Sequence, residues 1–104
     1  MDEKMRDVKE YLLKNITAET VIYEMVSAKM HKFAVRKPKV THWLYINNGL
    51  TQDKSSAQLI SLVNSYSVVS TLNSATVSER FYLDKDGILR KVDESFEDRG
   101  TPVR

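Results

Sequence analysis

Hydrophobic residues near the start of the chain recur at three- and four-residue spacing, with charged residues between them. Over residues 3–14 these positions are Met5, Val8, Tyr11 and Leu12. This spacing is typical of one face of an amphipathic helix. A second helix is predicted after Thr17, a suitable N-cap. Its broad hydrophobic face would carry Val21, Ile22, Met25, Val26 and Met30.

Residues 40–46 fit two kinds of element. Pro38 suits the first turn of a helix, and Val40, Trp43 and Leu44 would share one helix face, so a short third helix is predicted. The open alternative is a strand, because the segment is rich in β-branched and aromatic residues. The Asn-Asn-Gly sequence that follows could end a helix or form a hairpin turn.

A fourth helix is predicted over residues 54–65, capped by Thr51 or Asp53. Its wide hydrophobic stripe would be buried. The positions left for solvent are Ser55, Ser56, Gln58, Ser61, Asn64 and Ser65. That outer face carries no charge, and no Asp, Glu, Lys or Arg occurs anywhere in residues 55–78.

The end of the domain is predicted to form strands. Residues 67–72 are β-prone, residues 73–78 would form a turn or tip, and Asp-Lys-Asp-Gly separates two apolar runs as a hairpin turn does. Phe81 and Leu83 would point to one side of their strand, and Arg80 and Tyr82 to the other. Residues 1–92 are therefore expected to form a single domain. Residues 93–104 would be a polar, flexible C-terminal tail, from which Phe96 could still dock.

The amino-acid composition excludes several kinds of site. The chain has 104 residues and no cysteine, which excludes disulfides, a thiolate nucleophile and a cysteine-based zinc site. The absence of cysteine and of a long apolar run is consistent with a cytoplasmic protein, and no membrane association is expected. The net charge of +2 is small, but no acid occurs in residues 25–52. The four lysines and one arginine of residues 29–39 could attract phosphate or could form a solvated linker.

No arrangement of reactive residues indicates catalysis. His31 and His42 lack the spacing of a metal-binding pair. Asp84 and Asp86 lack the later acidic ligands of a calcium loop. With three glycines in the chain, no glycine-rich phosphate loop is present. The protein is therefore expected not to be an enzyme and to bind no metal and no cofactor.

Two stretches within residues 37–92, NNGLT and SERFYLDKDGILRKV, match a known pattern. The first is similar to the turn of a helix-turn-helix and the second to the end of a wing, so residues 37–92 resemble a winged helix-turn-helix DNA-binding domain. Tyr45, Asn48, Ser55 and Gln58 depart from the usual turn pattern. The resemblance implies an α+β fold with four N-terminal helices followed by a small antiparallel β wing.

The resemblance also implies a DNA-binding function, in transcription regulation or on a plasmid or viral genome. The helix at 54–65 would enter the major groove, the wing at 73–80 would reach the backbone, and the protein would be a homodimer. The residues expected to contact duplex DNA are Lys37, Lys39, Lys54, Ser55, Ser56, Gln58, Ser61, Asn64, Ser74, Thr76 and Arg80. Amide and hydroxyl side chains suit base edges, and lysines suit phosphates.

Three alternatives remain open at the level of sequence. The serine-rich face could be tolerant surface without a partner. It could instead bind a protein, as an inhibitor or adaptor does, or form a homodimer interface, because charged residues are depleted in interface cores. Finally, the chain could be another α+β domain in which residues 40–46 form a strand.

Overall fold

The computed structural model describes residues 2–97 as one sheet of five strands with four helices. In chain order the elements are α1 (Glu3–Asn15), β1 (Thr20–Ser27), β2 (Met30–Arg36), β3 (Thr41–Asn47), α2 (Asn48–Asp53), α3 (Ser56–Ser65), α4 (Val68–Ser74), β4 (Arg80–Leu83) and β5 (Leu89–Lys91). The strands lie in the order β1-β2-β3-β4-β5. β3 and β4 are parallel and the other neighbours are antiparallel. The three helices between β3 and β4 supply the crossover that a parallel pair requires.

The hydrophobic core lies between one face of the sheet and the helices. Alternate strand residues point into it, because successive side chains of a strand point to opposite faces. The sheet contributes Val21, Phe33, Val35, Leu44, Ile46 and Leu83, and the helices contribute Met5, Val8, Leu12, Leu59, Val63, Val68 and Leu72. A smaller cluster on the opposite face contains Met30, Tyr45, Tyr82 and Phe96.

The first helix and the terminal hairpin are confirmed. α1 buries Met5, Val8 and Leu12, as its spacing predicts. β4 and β5 pair around the Asp-Lys-Asp-Gly turn, where the Asp84 carboxylate accepts hydrogen bonds from the Asp86 and Ile88 amides and Gly87 has a φ of 78°. The turn residues therefore act through the local hydrogen bonding and positive φ that their types favour.

The prediction of four N-terminal helices followed by a β wing is wrong, because a single helix precedes the sheet. The segment after Thr17 is strand β1 and not a second helix. Val21 pairs with Val35 and Tyr23 with Phe33, so the backbone of the segment forms an antiparallel hydrogen-bonded ladder with β2. Its hydrophobic residues fit a three- to four-residue period by coincidence, and β-branched side chains pack well on a sheet.

The third predicted helix is also wrong, and the strand alternative is confirmed. Residues 41–47 form β3, which lies between β2 and β4 and buries His42, Leu44, Tyr45 and Ile46. Pro38 lies in the β2–β3 turn, which the Lys37 amide closes by donating to the Val40 carbonyl. The Asn-Asn-Gly sequence begins a helix and does not end one, because the Asn47 side chain caps α2.

The helix predicted at 54–65 is confirmed as α3, although Ser55 is its N-cap in place of Thr51 or Asp53. The strand predicted at 67–72 is wrong, because this segment belongs to α4. Val68 and Leu72, four residues apart, are both buried on one side of that helix. Residues 75–79 connect α4 to β4 and do not form the tip of a wing.

Phe96, whose docking the sequence left open, packs against the sheet beside Tyr45 and Tyr82. Residues 93–97 turn back over the sheet, and the Phe96 ring is 5% exposed. Residues 98–104, the rest of the predicted tail, lie outside the described residues.

Candidate interaction surface

The exposed side chains of α3, of α4 and of the two residues that join these helices form one surface that carries no charge, here called the neutral surface. Its members are Ala57, Gln58, Ser61, Asn64, Ser65, Tyr66, Ser67, Ser70, Thr71, Asn73 and Ser74. Leu59, Val63, Val68 and Leu72 hold the opposite sides of the two helices in the core. Burial of these hydrophobic residues thus orients both helices so that their uncharged faces point to solvent.

A shallow depression of about 600 Å³ lies where the two helices meet. Its lining consists of Asn64, Ser67, Val69, Ser70, Asn73 and Ser74. Apart from Val69, these side chains are hydroxyls and amides, which can both donate and accept hydrogen bonds. The depression is therefore suited to a neutral polar group and has no cation to hold a phosphate.

Ser67 joins the two helices in a left-handed conformation, with a φ of 57°. This conformation costs a serine more free energy than it costs glycine. The Ser67 side chain makes no capping hydrogen bond at the start of α4. Its hydroxyl lines the depression at a strained position, which is where binding residues are often found.

Two asparagines fasten the neutral surface to α1. The Tyr11 hydroxyl donates to Asn64 Oδ1 at 3.3 Å. The Asn73 side chain accepts from the Thr17 amide at 2.8 Å and donates to the Asn15 carbonyl at 3.0 Å. These hydrogen bonds connect residues distant in sequence, so α3 and α4 are held in place relative to α1.

Several residues predicted to read DNA have structural partners within the chain. Ser55 and Gln58 form a capping box, in which the Gln58 amide donates to Ser55 Oγ at 3.2 Å and the Ser55 amide donates to Gln58 Oε1 at 2.9 Å. Ser56 is half-buried in the first turn of α3. Ser61, Asn64 and Ser74 do lie together on the neutral surface. Thr76 is exposed in the connection after α4.

The predicted phosphate-binding cations are dispersed. Lys37 Nζ donates to the carbonyls of Leu72, Asn73 and Ala75 at 2.7, 3.2 and 3.1 Å, and so caps the C-terminal end of α4. Lys39 is exposed in the β2–β3 turn. The Lys54 Nζ lies 3.9 Å from the Asp53 carboxylate before α3.

Arg80 lies on the sheet face opposite the helices. Its guanidinium carbon is 3.7 Å from the centroid of the Trp43 ring, and Arg80 Nη1 donates to the Tyr45 hydroxyl at 3.0 Å. The Trp43 contact is a cation–π interaction. Arg80 is therefore part of a network on the far side of the sheet from the neutral surface.

That network surrounds a second site, here called the tail groove, formed by Met30, Tyr45 and Tyr82 with Lys32 and Arg80 at its rim. The Phe96 ring occupies the groove, with its centroid 5.0 Å from each of the two tyrosine rings. Sequence reasoning missed this site. The available signal was that Trp43 and Tyr45, like Arg80 and Tyr82, are two residues apart. Residues at this spacing share one face of a strand, but the signal indicates a site only when both segments are known to be strands.

Glu97 binds the rim of the tail groove. Its carboxylate lies 3.0 Å from Lys32 Nζ and accepts a hydrogen bond from the Tyr45 hydroxyl at 2.6 Å. Burial raises the pKa of the Glu97 carboxyl, but the hydrogen bonds from Tyr45 and Lys32 outweigh it and leave the pKa lowered. Burial and the Glu97 hydrogen bond raise the pKa of the Tyr45 hydroxyl. At neutral pH the pair is an ionised carboxylate and a neutral phenol.

The two histidines are buried in separate places. His31 accepts at Nδ1 from the Tyr23 hydroxyl and donates from Nε2 to Asn48 Oδ1. His42 Nδ1 accepts from the Glu79 amide, and its buried Nε2 finds no hydrogen-bond partner among residues 2–97. Burial is the main cause that lowers the pKa of both imidazoles. Within the same residues, no group of three or more His, Asp or Glu side chains could hold a metal ion.

None of the helices in the described part of the chain is both long and apolar enough to cross a membrane. The neutral surface and the tail groove are two features of residues 2–97 that could receive a partner. Comparison of the chain with protein-family models, curated proteins and solved structures finds no match.

Proposed function

We propose that this protein is a non-enzymatic interaction module whose neutral surface binds a partner protein. One observation carries the proposal. The exposed positions of α3 and α4 include no Asp, Glu, Lys or Arg, although these residues make up 29% of the chain. Solvated surfaces usually carry such residues, whereas the centres of protein interfaces are depleted of them.

The geometry of the neutral surface supports the same function. The depression of about 600 Å³ offers a concave seat for a protruding side chain of the partner. Hydrogen bonds from Tyr11 and to Asn15 hold Asn64 and Asn73 in place before binding. A rigid surface loses less conformational entropy on association. The partner surface is expected to be neutral and polar.

Duplex DNA binding stays a prediction, but it loses the winged-helix architecture on which it depended. Lys37 and Arg80, two of the cations expected to bind phosphate, already have partners within the chain. The lining of the depression contains no cation. A protein partner therefore suits the neutral surface better than a polyanion does.

The test is affinity capture with the full chain after nuclease treatment, followed by quantification of each captured protein. Ser70→Arg places a charge at the edge of the depression, and Gln52→Arg places the same charge on the exposed side of α2 as a matched control. A stoichiometric partner retained by wild type and Gln52→Arg but lost by Ser70→Arg supports the proposal. The proposal fails if Ser70→Arg, folded by circular dichroism, retains every partner. A gel shift of duplex DNA at low salt that Ser70→Glu abolishes would instead assign the surface to DNA, because the added negative charge repels the phosphates.

A further inference from the structure

We propose that the tail groove is a binding site for a peptide segment with an aromatic residue followed by an acidic residue. In this structure the chain's own Phe96 and Glu97 occupy it as an intramolecular ligand, which such a segment would displace. The site lies on the sheet face opposite the helices and is independent of the neutral surface.

The floor of the groove recognises an aromatic ring. Tyr45 and Tyr82 are side by side on neighbouring strands, and the Phe96 ring is tilted against both, at interplanar angles of 55° and 45°. Met30 completes the hydrophobic cluster. Tilted aromatic pairs at this separation are favourable beyond the area they bury. An aliphatic side chain would lose that contribution.

The rim of the groove recognises a carboxylate. Lys32 and the Tyr45 hydroxyl both contact the Glu97 carboxylate, and Arg80 donates to the same hydroxyl. Because Arg80 orients and polarises the phenol, its proton points to the acid. Charge-assisted hydrogen bonds of this kind are stronger than neutral ones. The groove therefore prefers an acid next to the ring over an amide.

The side chains of Phe96 and Glu97 anchor the occupying segment in the groove. Residues 93–97 contribute no strand to the sheet, and one backbone hydrogen bond within them, from the Phe96 amide to the Asp93 carbonyl, closes a local turn. Phe96 is the buried anchor and Glu97 the ionic one. A cavity of about 300 Å³ lies beside the groove and is lined by Trp43, Arg80 and Lys91. It gives room for the peptide residues on either side of the aromatic and acidic pair.

The experiment measures fluorescence anisotropy of a labelled peptide with the sequence of residues 93–98 against the full chain. Wild type should bind weakly, because the peptide competes with the tethered segment. The full-length Phe96→Ala variant frees the groove and should bind at least about tenfold more tightly, since apparent affinity scales with the fraction of open groove. Peptides carrying Ala for Phe, or Gln for the following Glu, should lose binding to this variant.

Two further measurements keep the proposal falsifiable. If Phe96→Ala does not fold, Glu97→Gln retains the ring and weakens the rim, and it too should bind the peptide more tightly than wild type. Adding Lys32→Glu to either variant should abolish the gain. A folded Phe96→Ala or Glu97→Gln chain that binds the peptide no better than wild type overturns the proposal. A dimer of either variant that forms with concentration and is broken by the peptide would assign the groove to a second copy and overturn the partner assignment.

Discussion

The ammonium group of Lys37 lies 2.7 Å from the carbonyl oxygen of Leu72, and so ties the β2–β3 turn to the end of α4. The same ammonium group reaches the carbonyls of Asn73 and Ala75. The last carbonyls of a helix have no intrahelical donor, and a cation there also interacts favourably with the helix dipole. Lys37 is thus an internal cap and is not a free cation.

Lys37→Met should lower the free energy of unfolding by about 1–2 kcal/mol, because it leaves three carbonyls without their charged donor. Lys39→Met, at an exposed position in the same turn, should change it by less than about 0.5 kcal/mol. Urea unfolding of both variants checks this difference. Equal effects of the two substitutions would show that the Lys37 contacts contribute nothing.

Two substitutions, one at the N-cap of α3 and one within the helix, are expected to change the free energy of unfolding in opposite directions. Ser55→Ala removes the acceptor for the Gln58 amide and should cost about 1 kcal/mol of stability. Ser61→Ala, on the exposed middle of the same helix, should stabilise by a few tenths of a kcal/mol through helix propensity. Thermal unfolding followed by circular dichroism measures both. A stabilising Ser55→Ala would contradict the assignment of the cap.

Ser67 gives a prediction about strain. Ser67→Gly should stabilise the protein or leave it unchanged, because glycine adopts a positive φ without steric cost and this offsets its greater freedom in the unfolded chain. Ser61→Gly, the same change within α3, should destabilise by roughly 0.5 kcal/mol. Chemical denaturation of the pair provides the comparison. Loss of stability in Ser67→Gly as large as in Ser61→Gly would argue against strain.

The histidines predict how stability depends on pH. Burial lowers the pKa of His31 and His42 below 6.5 in the folded protein, so the unfolded chain binds more protons as the pH falls through that value. The free energy of unfolding should therefore be highest above pH 6.5 and decline towards pH 5.5, by at most about 1.4 kcal/mol per pH unit for each proton taken up.

Urea titrations at pH 7.5 and 5.5 measure this dependence. The window lies above the range in which Glu97 and Asp84 titrate, because their carboxyl pKa values are lowered. In the His31→Gln, His42→Gln double variant the dependence should be flatter. An unchanged slope would assign the protons to other groups.

The elements that depend on local interactions could be predicted from the sequence. The spacing of Met5, Val8 and Leu12 specifies α1, the wide stripe over residues 54–65 specifies α3, and Asp84 with Gly87 specifies the terminal hairpin. The uncharged outer face of α3 was also visible, because side chains that point away from a buried stripe must face solvent.

Strand pairing and packing against the core determined the remaining elements. Residues 20–27 and 41–47 fit helix or strand locally, and hydrogen bonding to neighbouring strands made both of them strands. Residues 68–74 contain β-prone side chains, yet burial of Val68 and Leu72 against the core made them a helix. Propensity is a weak preference that pairing and packing override.

The sites divide in the same way. The composition of residues 55–78 marked the neutral surface, but its extension over α4 depends on how that helix packs. The tail groove joins Tyr45, Tyr82 and Phe96, which are far apart in sequence and meet only because β3 and β4 are parallel neighbours and residues 93–97 fold back over them. Contacts between distant residues depend on the whole arrangement of the chain, which local periodicity does not encode.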